Sequence, residues 1–129
     1  MTIELNYLVL VTALTAVLWV PYILNRVAVR GIADAVGYPE NPKPQAAWAT
    51  RLQKAHGNAV ENLVVFAALV LAAHAAGISN ETTMFAAKMY FWARLVHVVA
   101  YTLAWPWVRT LAFAAGFASQ ATFAWLLLN

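Results

Sequence analysis

The stretch that decides the fold is QKAHGNAVENLVVFAALVLAAHAAG, residues 53–77. Its second half is an unbroken apolar run of the kind that lies in lipid. Its first half carries ionisable and amide side chains, and no turn residue divides the two halves: Lys54, His56, Asn58, Glu61 and Asn62. A membrane helix that begins with such side chains must direct them at something other than lipid.

The composition of the whole chain indicates that most of it lies in lipid. Of its 129 residues, 64% are hydrophobic and only 10% are charged, and the mean hydropathy is +0.67. A soluble domain of this size needs more charge on its surface. The chain has no cysteine, which excludes disulfides and thiolate metal sites. Its few cations are spread among hydrophobic segments, so we expect no nucleic-acid binding.

Four apolar segments follow one another along the chain, at residues 5–24, about 47–78, 83 to about 104, and 108–128. At roughly 1.5 Å of rise per residue, each can cross a hydrocarbon core about 30 Å thick. Segments that span a membrane without forming a barrel must be helices, because lipid offers no partner to the backbone. We therefore predict an all-α integral membrane protein, a single four-transmembrane-helix domain that covers residues 1–129.

Glycine and proline residues predict where these helices bend and end. The stretch 30–48 holds two glycines and three prolines and is predicted as a loop between the first two helices. Pro21 lies inside the first apolar segment and predicts a kink there. Ser79 or Asn80 is the expected N-cap of the third helix, and Pro106 separates the third helix from the fourth.

The basic residues predict how the bundle is oriented in the membrane. They concentrate in the first loop with its flanks and in the last connection: Arg26, Arg30, Lys43, Arg51, Lys54 and Arg109. The positive-inside rule then puts these connections in the cytoplasm and both termini on the other side.

Polar side chains share one face on each of two helices. The second helix carries Arg51, Lys54, Asn58 and Glu61 at spacings of 3, 4 and 3, and the third carries Arg94, His97 and Tyr101 at spacings of 3 and 4. Glu61 and Arg94 lie roughly 16 and 15 Å below the same membrane surface. Charges at that depth face the bundle interior with a partner, so we predict that Glu61 and Arg94 form a structural ion pair.

The remaining cations gather at the same end of the bundle as these polar faces. A cup of cations with amide and phenol donors suits a small polyanionic ligand that carries carboxylates. The three histidines have no carboxylate at ligand spacing, so no metal site is predicted.

Three segments carry a resemblance to a known family: KAHGNAVENLVVF, RLVHVVAY and PWVRT. In order and spacing they resemble the second, third and fourth helices of the MAPEG family, the membrane-associated proteins in eicosanoid and glutathione metabolism. The chain is similar to its microsomal glutathione transferase and prostaglandin E synthase members over essentially its whole length. The resemblance implies a homotrimer with glutathione bound between neighbouring subunits near the cytoplasmic face.

The resemblance also implies a role for individual residues. It makes Lys54, Asn58, Glu61, His97 and Tyr101 glutathione contacts, with the γ-glutamyl amino group at Glu61, and it adds either Arg26 or Arg30 from the first helix. Arg51 joins them through its place in the cup. Arg109 is implied to lie beside the glutathione thiol and to stabilise its thiolate, with the hydroxyl of Thr110 next to it. A lipophilic substrate is expected to enter from the bilayer between the first and fourth helices.

Three functions therefore remain open at this point. The first is a glutathione-dependent membrane transferase or peroxidase that acts on lipophilic electrophiles. The second is a lipid-binding or scaffold protein on the same fold, without catalysis. The third, a proton-coupled transporter, rests on Glu61 as a buried carboxylate and is weakened by Arg94 at the same depth, because a transporter's carboxylate must be free to exchange its proton.

Overall fold

The structure is a computed structural model that describes all 129 residues, and every regular element in it is an α-helix. The elements are α1 (Ile3–Val17), α2 (Trp19–Val36), α3 (Ala47–Ala75), α4 (Glu81–Thr102) and α5 (Pro106–Leu128). Only Leu18 separates α1 from α2, so these two form one long first unit, and α3, α4 and α5 are the other three helices of the bundle. Three units are long and apolar enough to cross a membrane: Ile3–Val36, Ala47–Ala75 and Pro106–Leu128. The predicted all-α four-helix membrane bundle is confirmed.

The first unit is interrupted as the sequence predicts. Pro21 has no amide hydrogen to donate to the carbonyl of Val17, four residues earlier, so the helical hydrogen-bond ladder fails there. The interruption lies at Leu18, within one turn before the proline.

The loop predicted for residues 30–48 is shorter than expected. α2 continues to Val36, and only residues 37–46 are irregular. Gly31 has φ 76° and ψ 160°, a backbone conformation that only glycine adopts readily. The prediction was wrong at its start because Gly31 bends the helix without ending it.

The start of α4 is capped as expected. The Asn80 side chain accepts a hydrogen bond from the Thr83 amide at 3.0 Å, and the Thr83 hydroxyl accepts one from the Asn80 amide at 2.9 Å. The buried carboxylate of Glu4 also accepts from the hydroxyls of Thr83 at 2.9 Å and Ser79 at 3.1 Å. This contact fixes the beginning of α1 to the beginning of α4.

Two hydrophobic clusters fill the bundle, one toward each end. The first is built on Phe66, which stacks on Tyr90 at 3.8 Å between ring centroids and meets Phe123 edge-on at 6.0 Å. The second includes Leu52 on α3 and Val98 on α4. Along α4, Arg94 and His97 lie between Tyr90 of the first cluster and Val98 of the second.

Candidate functional site

Arg94 lies at the junction of three helices. Its side chain on α4 is 3% exposed, and its Nη2 donates to Oδ1 of Asn58 on α3 at 2.7 Å. On the α5 side its stem passes Gly116, where an added Cβ would lie 3.7 Å from Cδ of Arg94. A Cβ at that distance would make an ordinary van der Waals contact, so α5 packs closely against the stem of Arg94 at this position.

The ion pair predicted between Glu61 and Arg94 is not formed in this structure. Arg94 bonds to Asn58, and Glu61 is exposed on the surface of the subunit. The prediction was wrong because equal depth does not fix direction. Positions 58 and 61 differ by about 60° around the helix axis, and only the first faces α4.

Arg109, on the first turn of α5, is half-buried against an aromatic ring of α4. Its guanidinium carbon lies 5.1 Å from the centroid of the Tyr101 ring, within the range of a cation–π contact. The same ring meets His97 edge-on at 5.7 Å between centroids. His97 is 2% exposed, so the aromatic pair forms a wall behind the arginine.

Two cavities open on either side of Tyr101 and Arg109. One of about 180 Å³ is lined by Asn58, His97, Tyr101, Arg109, Thr110 and Phe113. The other, of about 250 Å³, adds Arg51 and residues of the α4–α5 connection. The structure thus brings together six of the predicted site residues around one pair of side chains.

The other predicted site residues lie outside these cavities in the subunit. Arg26 donates to the side chain of Gln45 at 3.2 Å, and Arg30 donates to the carbonyl of Lys43 at 2.8 Å. Lys54 and Glu61 are exposed on α3.

Thr110 lines the smaller cavity, but its hydroxyl already donates to the carbonyl of Pro106 at 2.9 Å. The hydroxyl implied to lie beside the thiolate therefore has no free proton to donate to it in this structure. Its oxygen remains available only as an acceptor.

The arginines of this end of the bundle all contact neutral groups. Arg51 donates to the carbonyl of Thr102 at 2.9 Å, Arg94 to the Asn58 amide, and Arg109 covers the Tyr101 ring. Because none of these contacts neutralises the guanidinium charge, the site is left strongly positive. Such a site is suited to an anion.

Sequence reasoning missed two amide side chains next to the site, one half-buried (Asn62) and one buried (Gln120). Asn62 and Gln120 are hydrogen-bonded to each other, and Asn62 is bonded to Asn58. Gln120 is the one amide in the apolar run of α5 before the final residue, and a lone intramembrane amide of this kind is a signal in itself. Neither residue belongs to the two polar faces that the spacing of charged and amide residues predicts.

The fold and this site define a class: an α-helical integral membrane protein with a cation-rich polar site at one end of its bundle. The model of the MAPEG family matches residues 9–129, and the chain belongs to that family. Membership indicates a glutathione-related membrane function of the transferase or isomerase type, in association with lipids. The comparisons with curated proteins and with solved structures gave no match.

Proposed function

We propose that the protein is a glutathione-dependent membrane transferase or peroxidase that acts on lipophilic electrophiles, with Arg109 beside the thiol. The observation that supports this most directly is the 180 Å³ cavity in which Asn58, His97, Tyr101 and Arg109 meet. It combines a cation with amide, imidazole and phenol groups, which is the donor set that carboxylates and peptide carbonyls require.

Buried atoms without partners support the fit of a polar anion. Nε of Arg94 and Nδ1 of His97 are buried and form no hydrogen bond in the subunit. A buried polar group left in this state costs roughly 1–3 kcal/mol, and more when the group is charged. An anionic ligand beside these residues compensates the charge of Arg94 even where it does not touch Nε.

The chain's own contribution to the reaction is charge and orientation. Glutathione, when bound, supplies the thiol nucleophile. The guanidinium of Arg109 places a positive charge on the cavity wall, and a neighbouring cation lowers the pKa of a thiol from about 8.5 at about 1.4 kcal/mol per unit. Asn58 and Tyr101 orient the ligand with respect to that charge. Because the proton of Thr110 is used by Pro106, Arg109 carries the stabilisation.

The exposed charges of α3 support a homotrimer with its site between subunits. Glu61 is exposed at a depth of roughly 16 Å, where a charge facing lipid is strongly unfavourable. A neighbouring subunit that covers this face of α3 removes the conflict and brings Lys54 and Glu61 into the site. In this arrangement Arg26 or Arg30 completes the site, which faces the cytoplasm.

A lipid-binding role without catalysis is the second candidate, and a different observation favours it. A wholly apolar groove of about 380 Å³ runs between α4 and α5, with Trp92 and Leu111 among its lining residues. It can hold an acyl chain or a lipophilic substrate from the bilayer. The groove is compatible with both functions, so variants of Arg109 are needed to distinguish catalysis from lipid binding.

The test is conjugation of a hydrophobic electrophile by Arg109 variants. Arg109→Ala is expected to abolish glutathione-dependent turnover while glutathione affinity stays within a few fold, because the other cations still hold the carboxylates. Arg109→Lys is expected to keep part of the activity, since a point charge still favours the thiolate.

Turnover and binding are measured from pH 6.5 to 8, by product formation and by calorimetry in detergent. Turnover by Arg109→Ala at the wild-type rate across this range would remove the catalytic role of Arg109. No glutathione-dependent turnover by the wild type, with any electrophile tried, would leave lipid binding as the function.

A further inference from the structure

A line of hydrogen-bonded amide side chains, half-buried at its α3 members and buried at Gln120, crosses the bundle beside the smaller cavity. Gln120 on α5 donates through Nε2 to the backbone oxygen of Asn62 at 3.1 Å and approaches its Oδ1 at 3.5 Å. Asn62 on α3 donates through Nδ2 to the backbone oxygen of Asn58 at 2.9 Å and to its Oδ1 at 3.3 Å. Asn58 also accepts from Arg94 at 2.7 Å. We call Gln120, Asn62 and Asn58 the amide chain.

Two groups whose hydrogen-bonding role cannot change, one donor and one acceptor, set the direction of every hydrogen bond in the amide chain. Arg94 can only donate, so Asn58 must present its Oδ1 to it. The backbone carbonyl of Asn58 can only accept, so Asn62 must turn its Nδ2 toward it and its Oδ1 toward Gln120. Gln120 then has to offer its NH₂ group. The orientation of all three amides follows from this network.

This orientation decides what Asn58 presents to the cavity. Its Oδ1 is occupied by two donors, from Arg94 and Asn62. Its Nδ2 lies on the other side of the planar amide and has no partner in the subunit. Because Asn58 lines the cavity with His97 and Arg109, the free N–H groups are available to a ligand there.

We infer that Asn62 and Gln120 are positioning residues that, together with Arg94, hold Asn58 with its NH₂ group toward the cavity, where it selects a ligand oxygen such as a carbonyl or carboxylate. Neither residue lines the cavity, so both act through Asn58. The inference rests on the proposed function, in which that ligand is glutathione.

If these amides only held the helices together, the experimental result would differ. Amides between membrane helices also hold helices together, without any effect on a ligand. In that case a change at Gln120 lowers stability but leaves the Asn58 side chain and ligand affinity as they were. Positioning instead couples Gln120 to Asn58, although no hydrogen bond joins the two side chains directly.

The first experiment reads the orientation of Asn58 directly, without any ligand. Protein labelled with ¹⁵N-asparagine is examined by NMR in detergent, and the side-chain NH₂ signal of Asn58 is identified by its loss in Asn58→Ala. Gln120→Met keeps the length of the side chain and removes its amide, so we expect this signal to shift or broaden. Ser119→Ala is the matched control, because Ser119 is equally buried on α5 and its hydroxyl bonds only to Ala115 of its own helix, at 3.3 Å.

The second experiment measures the glutathione Kd by calorimetry. Gln120→Met and Asn62→Ala are each expected to raise the Kd about tenfold, whereas Ser119→Ala stays within twofold. Adding Gln120→Met to Asn58→Ala should weaken binding no further, because the group being positioned is already absent.

The two readouts separate this inference from the proposed function. An Asn58 signal that is the same in Gln120→Met as in the wild type overturns the positioning role. So does a loss of affinity that adds in full to that of Asn58→Ala. A wild type that binds no glutathione overturns the proposed function instead, and the NMR comparison still decides whether the amide chain holds Asn58.

Discussion

At the scale of single residues, the most consequential contact is the one between Arg94 and Asn58. Arg94 is 3% exposed, so its guanidinium is almost entirely enclosed by the subunit. Its hydrogen-bond partner there is the neutral side-chain amide of Asn58. Removing one partner of a buried charged hydrogen bond leaves the other group unsatisfied, which is more damaging than the net value of the bond suggests. The stability of the ligand-free subunit should therefore depend on Asn58.

We predict that Asn58→Ala destabilises the ligand-free protein by about 2–3 kcal/mol, because it strips Arg94 of its hydrogen bond. Glu61→Gln should change stability less, since Glu61 is not the hydrogen-bond partner of Arg94 and its replacement leaves the bond to Asn58 in place. The two variants are compared by thermal unfolding in detergent. A larger loss in Glu61→Gln than in Asn58→Ala would restore the ion pair that the sequence suggested.

Sequence reasoning reached this contact only in part. Spacing placed Asn58, Arg94 and His97 on inward faces, and the structure confirms that Arg94 and His97 are buried. Spacing did not choose between Asn58 and Glu61 as the partner of Arg94. That choice depends on how each helix is rotated about its axis, and side-chain packing from other helices sets this rotation.

At the scale of elements, the start of α4 combines a helix cap with a contact between helices. The hydroxyl of Thr83 closes the capping box with Asn80 and also bonds to the buried carboxylate of Glu4 at 2.9 Å. The partial positive charge of the α4 N-terminus and the hydroxyls of Thr83 and Ser79 all favour a carboxylate at this position. One side chain thus supports the end of α4 and the docking of α1.

We predict that Thr83→Val lowers the free energy of unfolding by about 2 kcal/mol, through loss of the cap and of the bond to Glu4. Valine keeps the shape of threonine, so the change isolates the hydroxyl. Thr82→Val is the control, because Thr82 is the exposed neighbour on the same helical turn. Equal melting temperatures for the two variants in detergent would show that the contact with Glu4 adds nothing.

The sequence predicted the ends of elements well where a side chain determines them. Asn80 and Pro106 act locally, through a cap and through a missing amide hydrogen, and both lie where they were expected. The end of α2 was missed because glycines and prolines were read together as a loop. A glycine can form either a bend inside a helix or the start of a loop. Gly31 forms a bend, and its sequence neighbours do not show which of these two it adopts.

At the scale of the whole molecule, the subunit leaves charged side chains of α3 uncovered. Lys54 and Glu61 are exposed in the first half of α3, and Glu61 lies at a level where lipid would surround it. Four apolar segments were sufficient to predict the fold, since each spanning segment must be a helix. The number of subunits is not encoded in that pattern, so it stays a prediction.

We predict a trimer in detergent, with α3 at the contact between subunits. Native mass spectrometry should show three chains per particle, and cysteines introduced at Val60 and Val64, two exposed positions of α3, should crosslink between subunits. The chain has no native cysteine, so the background is clean. A monomer or a dimer under these conditions would exclude a site that is shared in the proposed way.

The burial of Arg94 also has a consequence for how the protein enters its membrane. α4 is the one helix of the bundle that is not apolar enough to count as a spanning segment on its own, and it carries both Lys88 and Arg94. A segment of this kind is poorly inserted from the translocation channel alone. Only residues 76–80 separate it from α3. The two helices are therefore expected to leave the channel together as a hairpin, so that the guanidinium of Arg94 enters the bilayer with its hydrogen bond to Asn58 already formed.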